Sequence, residues 1–249
     1  HLNSEQLYEN RDEFIKHALD NQVEMMVVVG YDLESSKKAV EIAKEYDFIY
    51  AAVGIGPNDC LNTTTQDLQI IDEYLNEPKV VALGEIGLDY HYEETDKALQ
   101  HKWFAGQMDI ARELKLPIAI HSRDAAQDTI QIMRASRAEE IGGVIHCYSY
   151  SKESARDFLN MGFYFGIGGV VTFKNAKKLK EAVAYIPLSN IVLETDAPYL
   201  TPEPFRGKRN DSSKLVYVAQ AIADIKQIPV DEVYAETWKN AHQMYKIQK

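Results

Sequence analysis

Four side chains that can bind a metal ion follow short apolar stretches of the sequence. They are two carboxylates and two imidazoles: Glu85, His121, His146 and Asp196. A charged or polar group next to buried apolar residues must be paired, hydrogen-bonded or coordinated. Two histidines and two carboxylates at one edge of a sheet form a ligand set suited to Zn²⁺, Mn²⁺ or similar ions.

Each of these residues also has a plainer interpretation when it is taken alone. A histidine at the end of a strand is more often structural, and Asp196 could cap the turn or helix that follows it. Glu85 could be one half of a buried ion pair. The occurrence of all four residues at equivalent places favours a metal site.

Seven short apolar runs must position these side chains. They cover residues 25–30, 49–56, 80–87, 117–122, 143–148, 164–168 and 191–198. Each run is nearly continuous rather than alternating, as in parallel strands that are buried on both faces, and amphipathic segments lie between the runs. Asp96 and Ser151 are predicted N-caps of two of the intervening helices.

This alternation predicts a parallel α/β fold, in a single domain over residues 1–249. The pattern alone is compatible with an open doubly wound sheet and with a closed barrel. Polar residues at the C-terminal ends of several strands are typical of a (β/α)8 barrel, whose active sites lie at that rim.

Composition and charge exclude some classes of protein. The 249 residues include only two cysteines, so we expect no disulfide framework and a reducing, cytoplasmic compartment. No apolar run approaches the roughly 20 residues of a membrane span, and the first residues do not resemble a signal peptide. The net charge of −11 argues against a nucleic-acid coat protein. It does not exclude an enzyme that acts on nucleic acid, because bound metals supply positive charge locally.

Several motifs resemble those of the TatD family along the whole chain. They are GEIGLDY at residues 84–90, PIAIHSR at 117–123, IHCYS around His146, ETDAPYL at 194–200 and RGKRN at 206–210. The resemblance implies a metal-dependent hydrolase of the amidohydrolase superfamily, a (β/α)8 barrel, and an activity described as that of a DNase.

The resemblance also implies a set of metal ligands. The family's ligands are an H-x-H on strand 1, a glutamate on strand 4, histidines on strands 5 and 6, and an aspartate on strand 8. The matching residues in this sequence are His1, Glu85, His121, His146 and Asp196. They are expected to hold two divalent ions (Mg²⁺, Mn²⁺ or Zn²⁺), with Glu85 between the ions and Asp196 also acting as general base.

The sequence departs from the family pattern at two places. It begins with His1, which matches the second histidine of H-x-H, so strand 1 falls almost entirely before it, and we expect residues to precede His1 in the natural protein. Gly56 and Asn58 stand where the family usually has histidines. Reduced or shifted activity is the expected consequence.

Basic residues in the loops after the strands indicate the substrate. They are predicted to contact phosphate groups: Arg123, Arg206, Lys208 and Arg209. Together with the resemblance, these residues lead us to expect a deoxyribonuclease with DNA as a transient partner. We also expect a monomer and no membrane association. One alternative is hydrolysis of another ester or amide, such as an aminoacyl ester on tRNA, and a second is a metal-binding homologue with weakened catalysis.

Overall fold

The computed structural model describes residues 1–92 and 96–247. In this part of the chain the strands are β1 (Met26–Val29), β2 (Ile49–Val53), β3 (Val80–Asp89), β4 (Ile118–Arg123), β5 (Gly143–Ile145), β6 (Tyr164–Ile167) and β7 (Ile191–Leu193). The α-helices are α1 (Glu5–Tyr8), α2 (Arg11–Asp20), α3 (Leu33–Glu45), α4 (Thr65–Leu75), α5 (Lys97–Leu114), α6 (Ala126–Ala135), α7 (Lys152–Asn160), α8 (Lys177–Tyr185), α9 (Leu215–Lys226) and α10 (Val230–Tyr245). Every predicted apolar run overlaps one of these strands, although β3 and β4 extend beyond the ends of their runs.

The elements fall into two compact units. The β1–β5 unit consists of Met25–His146 with Tyr245–Ile247. The β6–β7 unit consists of His1–Glu24 with Cys147–Met244. The assignment of the chain to a single domain stays a prediction.

The β1–β5 unit contains a parallel sheet whose strands pair in chain order. Each neighbouring pair from β1 to β5 is parallel, with helices α3 to α6 between successive strands. Its core contains fully buried side chains from both strands and helices, among them Ile49, Leu83, Ile86 and Phe104. Parallel strands covered by helices in this way explain why the runs are apolar on both faces.

Helix starts in this unit follow from their capping residues. Asp32 and Ser35 form a reciprocal capping box at the start of α3, and Thr64 and Asp67 form another at α4. Asp96 accepts the backbone N–H of the third residue of α5, so the predicted N-cap is confirmed.

Buried glutamines connect α5 to the ends of two strands. Gln107 accepts the backbone N–H of Ile55 at 2.8 Å and donates to the Ile55 carbonyl at 2.9 Å. Gln100 accepts the N–H of Asp89 at 2.9 Å and donates to its carbonyl at 3.1 Å. These side chains satisfy backbone groups where the sheet ladder ends, which fixes the loops that follow β2 and β3.

The β6–β7 unit contains one parallel strand pair with helices around it. Phe165 of β6 pairs with Ile191 of β7. Phe158, Phe163 and Phe165 are fully buried, and the ring centroids of Phe158 and Phe165 lie 6.5 Å apart. Ser151 occupies the N-cap position of α7 as predicted, but its side chain makes no capping hydrogen bond. None of the helices in residues 1–92 and 96–247 has the length and apolar character needed to cross a bilayer.

Candidate active site

Glu85 lies inside β3, at a break in the pairing of β3 with β4. The register of the two strands shifts between Leu83 and Ile86, so Glu85 takes no regular place in the ladder. Its backbone N–H instead donates to the carbonyl oxygen of Gly30 at 2.7 Å. The residue is only 7% exposed. A carboxylate buried to this degree needs charged or polar partners.

His121 on β4 supplies one such partner, and its imidazole lies between two carboxylates. Its Nδ1 is 2.6 Å from Glu85 Oε1, and its Nε2 is 3.1 Å from Asp89 Oδ2. Gly87 allows the backbones of β3 and β4 to lie close together beside these contacts. It has a φ of +144°, and a Cβ at this position would lie 1.9 Å from the carbonyl oxygen of His121.

Asp89 is held in place by several hydrogen bonds. It is 1% exposed, and it accepts the backbone N–H of His91 at 2.9 Å and the side-chain amide of Asn58 at 3.1 Å. Burial raises the pKa of Asp89, but the hydrogen bonds from His121, His91 and Asn58 outweigh it and lower the pKa to about 2. The ionised carboxylate can only accept, so it orients the imidazole of His121.

Sequence reasoning did not single out Asp89, although it closes the GEIGLD motif. The spacing of the motif did contain one indication that Asp89 belongs to the site. Residues four apart on a strand point to the same side, and Asp89 is four residues after Glu85. A carboxylate that holds the second nitrogen of a ligating histidine is common at metal sites, where it fixes the ring and its tautomer.

The charge around His121 fits a divalent cation. Burial lowers the pKa of His121, but the charges of Glu85 and Asp89 and their hydrogen bonds raise it to about 9. The negative potential that holds a proton on this imidazole also attracts a metal ion, which takes the place of that proton when it binds. The nitrogen and oxygen donors match the ligand types of Zn²⁺ and Mn²⁺.

His146 follows the last residue of β5. Its backbone N–H donates to the carbonyl oxygen of Ile120 at 2.9 Å, which continues the pairing of β5 with β4 by one residue. The side chain is half-buried. His146 therefore lies at the carboxyl end of its strand, as the sequence predicts.

In the β6–β7 unit the structure brings His1 and Asp196 together. His1 Nε2 lies 3.3 Å from Asp196 Oδ1, and both side chains are largely buried. Asp196 lies three residues beyond the end of β7, with a left-handed φ of 52°. An aspartate tolerates this conformation better than most residues.

Asn210 fixes the loop that carries Asp196. Its side-chain amide donates to the carbonyl oxygens of Thr195 and Tyr199, both at 2.8 Å, and its N–H donates to the Pro198 carbonyl at 2.9 Å. Asn210 is 1% exposed. The last residue of the RGKRN motif therefore holds the backbone on both sides of Asp196.

All four predicted phosphate contacts are exposed, and three of them lie in this loop. The guanidinium carbon of Arg206 lies 4.2 Å from the centroid of the Phe173 ring. Lys208 Nζ lies 6.0 Å from the centroid of the Phe205 ring. Both charges are at the surface, beside aromatic rings.

The other two predicted contacts have different surroundings. Arg209 packs over Phe14 at 4.7 Å and donates to the carbonyl oxygen of Gln6 at 3.1 Å, so it already fastens the loop to the N-terminal segment of its unit. Arg123, in the β1–β5 unit, lies 6.0 Å from the centroid of the Tyr92 ring.

Comparison with known proteins identifies relatives along the whole chain. The model of the family described as "TatD related DNase" matches residues 1–246. An uncharacterized metal-dependent hydrolase of Bacillus subtilis, YabD, is 46% identical over 247 residues, which cover 99% of this chain and 97% of that protein. The uncharacterized metal-dependent hydrolase YcfH of Escherichia coli is 34% identical over 246 residues, with 99% and 92% covered.

Solved structures have the same fold. The TatD homologue YjjV of Escherichia coli matches with a TM-score of 0.95 and 25% identity, over 100% of this chain and 96% of that one. A TatD family hydrolase of Entamoeba histolytica matches with a TM-score of 0.86 and 23% identity, with 95% and 89% covered. The predicted α/β-barrel fold is therefore confirmed. The chain belongs to the TatD family and is a metal-dependent hydrolase.

Proposed function

We propose that this protein is a metal-dependent deoxyribonuclease that hydrolyses phosphodiester bonds in DNA. The observation that carries the proposal is the loop after β7. It contains Asp196 and exposes Arg206, Lys208 and Tyr199, which is 56% exposed. A basic and aromatic surface on a chain of net charge −11 suits an anionic strand with bases that can stack. The description of the matching family as a DNase supports the same substrate.

The proposed ligands of divalent metal ions are those predicted from the sequence. They are Glu85, His121 and His146 in the β1–β5 unit and His1 and Asp196 in the β6–β7 unit. We propose two ions, of Mg²⁺, Mn²⁺ or Zn²⁺. When bound, such ions lower the pKa of water and stabilise negative charge on phosphoryl oxygens.

The side chains have separate tasks in this proposal. Asp89 accepts a hydrogen bond from the protonated Nε2 of His121. Nδ1, which faces Glu85, is therefore the nitrogen available to a metal. The Asp196 carboxylate takes the proton of the attacking water. His1, with Nε2 3.3 Å from Asp196 Oδ1, helps to hold that carboxylate in place.

Arg206 and Lys208 are the stronger candidates for phosphate contacts among the predicted residues. All three basic residues of the loop are exposed, but Arg209 already donates a hydrogen bond to the carbonyl oxygen of Gln6. A planar guanidinium can contact a phosphate through two parallel hydrogen bonds. Arg206 is therefore proposed to position the substrate strand.

A panel of substrates tests the proposal. Purified protein is incubated in the presence of Mn²⁺ with 3′-labelled single-stranded DNA, an aminoacyl-tRNA and a small cyclic amide. We expect hydrolysis of the DNA, and a loss of about 10²- to 10⁴-fold in Asp196→Asn because the general base is removed. Asp224→Asn, an exposed change on α9 of the same unit, is the control and should leave the rate unchanged.

Two results would contradict the proposal. Hydrolysis of the ester or amide without hydrolysis of DNA would indicate a different hydrolase. Metal binding without hydrolysis of any of the three would indicate the homologue with weakened catalysis. The monomeric state and the cytoplasmic location stay predictions of the sequence.

A further inference from the structure

The thiol of Cys147 lies beside Asp196 in the β6–β7 unit. Its Sγ is within 4.8 Å of a carboxylate oxygen of Asp196. Cys147 directly follows the proposed ligand His146 in the sequence, and it is half-buried. The proposed hydrolysis assigns no task to this sulfur, although it lies next to the proposed general base.

Contacts within the same unit hold Cys147 and Asp196 in place. The residue after Cys147, Tyr148, donates its backbone N–H to the carbonyl oxygen of Gly166 in β6 at 2.9 Å. Tyr148 is only 3% exposed. Because Asn210 holds the loop that carries Asp196, both the thiol and the carboxylate extend from a backbone that hydrogen bonds fix.

His1 adds a third donor atom beside the same carboxylate. Its Nε2 lies 3.3 Å from Asp196 Oδ1. A four-coordinate Zn²⁺, with bonds of about 2.0–2.3 Å at tetrahedral angles, separates its donor atoms by roughly 3.3–3.5 Å. The nitrogen and the oxygen are therefore already at the spacing that one ion requires, and a small rotation of the Cys147 side chain brings the sulfur to the same spacing.

The chemical types of these three donors suit zinc. With the thiol and the carboxylate ionised, the two negative charges balance the charge of a divalent ion. Catalytic zinc sites have three protein ligands and keep the fourth position for water. Thiolate sulfur favours Zn²⁺, whereas Mg²⁺ and Mn²⁺ prefer oxygen ligands. The thiol therefore influences which ion binds beside Asp196.

The other cysteine of the chain has different surroundings. Cys60, in the β1–β5 unit, is 1% exposed, and its thiol donates to the carbonyl oxygen of Pro57 at 3.1 Å. Burial raises the pKa of the Cys60 thiol to about 11, so this thiol resists the deprotonation that metal binding requires. Among residues 1–92 and 96–247, no group of three potential metal ligands includes Cys60. Cys60 is therefore a matched control for Cys147.

We propose that Cys147 is a metal ligand together with Asp196 and His1, and that its sulfur makes the ion beside Asp196 a zinc ion rather than magnesium or manganese. The bond from sulfur to the metal replaces the S–H bond, and the proton passes to solvent. The proposal rests on the proposed function, because it identifies the ion that the proposed ligands hold.

Binding of Co²⁺, a spectroscopic substitute for Zn²⁺, tests the sulfur ligand without requiring hydrolysis. Chelator-treated protein is titrated with Co²⁺ while its near-ultraviolet spectrum is recorded. A charge-transfer band from sulfur to cobalt should appear in the wild-type protein, because the thiolate binds the ion directly. The band should persist in Cys60→Ser and disappear in Cys147→Ser. Since the chain has only two cysteines, a band in Cys60→Ser assigns the sulfur to Cys147 without altering that residue.

Metal affinities test the selectivity. Competition with a fluorescent chelator should show that Cys147→Ser binds Zn²⁺ at least about 10- to 100-fold more weakly, since even groups that only orient ligands have effects of this size. The Mn²⁺ affinity should change by less than about threefold, because Mn²⁺ gains little from a sulfur ligand. Cys60→Ser should leave both affinities unchanged.

The outcomes separate this proposal from the proposed function. Absence of the band in the wild-type protein would overturn the sulfur ligand, and cleavage of DNA by that protein would leave the nuclease standing. The band without DNA cleavage would support the ligand and contradict the nuclease. A band that survives in Cys147→Ser, or equal losses of Zn²⁺ and Mn²⁺ affinity in that variant, would also overturn the proposal.

Discussion

Asp89 shows what the side-chain geometry adds to the motif at the scale of single residues. Glu85 and His121 were predicted as ligands from their residue types and their places in apolar strands. The contact of Asp89 with Nε2 of His121 depends on two further features. β3 and β4 approach each other closely at Gly87, and the side-chain amide of Asn58 donates a hydrogen bond to Asp89. These are contacts across strands, which residue type and spacing do not specify.

Replacing the Asp89 carboxylate tests its positioning role. In Asp89→Asn the side chain can present an N–H to His121, so the imidazole loses its fixed tautomer. Metal affinity should fall about 10- to 100-fold, because groups that orient metal ligands have effects of this size. Competition with a fluorescent chelator measures the affinity.

The matched control is Asp72→Asn, which makes the same chemical change at an exposed position. Asp89→Glu adds a rescue test, since it restores the charge at a slightly different distance and should recover part of the affinity. Unchanged metal affinity in Asp89→Asn would show that Asp89 does not act through His121.

At the scale of elements, the strands were predicted well at their starts and less well at their ends. The run at residues 191–198 suggested a strand that reaches Asp196, but β7 ends at Leu193. The residues after β7 form a loop. Asn210, which comes later in the sequence, holds this loop through hydrogen bonds to the carbonyl oxygens of Thr195 and Tyr199. Apolar patterning does not distinguish a buried loop from a buried strand, because both exclude water.

The contact of α5 with the end of β2 leads to a prediction about stability. Gln107→Leu should lower the free energy of unfolding by roughly 1–3 kcal/mol, because the buried N–H and C=O of Ile55 lose their partner. Urea unfolding followed by circular dichroism measures this change. Gln131→Leu, at an exposed position on α6, should change it by less than about 0.5 kcal/mol, and an equal loss in both variants would contradict the role of Gln107.

Asp59, in the segment between β2 and α4, gives a prediction for pH dependence. Burial raises the pKa of Asp59 to about 6, and the negative charges of Asp32 and Glu85 add to the effect. Since this pKa is raised from 3.8, the folded protein binds more protons between these pH values. Its stability therefore falls as the pH rises through this window.

Removing the negative charge of Asp59 should reverse this loss of stability. Asp59→Asn is expected to raise the Tm of the chelator-treated protein more at pH 7 than at pH 4.5, as thermal unfolding at the two pH values would show. Asp72→Asn serves as the control for an exposed carboxylate. A Tm increase of the same size at both pH values would contradict the assigned pKa.

At the scale of the whole molecule, the fold class followed from the repeated alternation of apolar runs and amphipathic segments. The pattern alone did not distinguish a closed barrel from an open sheet, since both bury their parallel strands between helices. The motifs and the likeness to TatD structures made that distinction. The net charge gave no indication of the exposed basic residues in the loop after β7, because a sum over 249 residues does not report a local cluster.

The dependence of hydrolysis on bound metal is the central claim, and chelation tests it most directly. The rate of cleavage of 3′-labelled single-stranded DNA is measured for the purified protein, then with EDTA, then after addition of excess Mn²⁺, Mg²⁺ or Zn²⁺. The wild-type rate should vanish with EDTA and return with at least one of the ions, whereas Glu85→Gln should stay inactive throughout because a buried ligand is lost. An undiminished rate in EDTA, or a wild-type rate in Glu85→Gln, would contradict the claim.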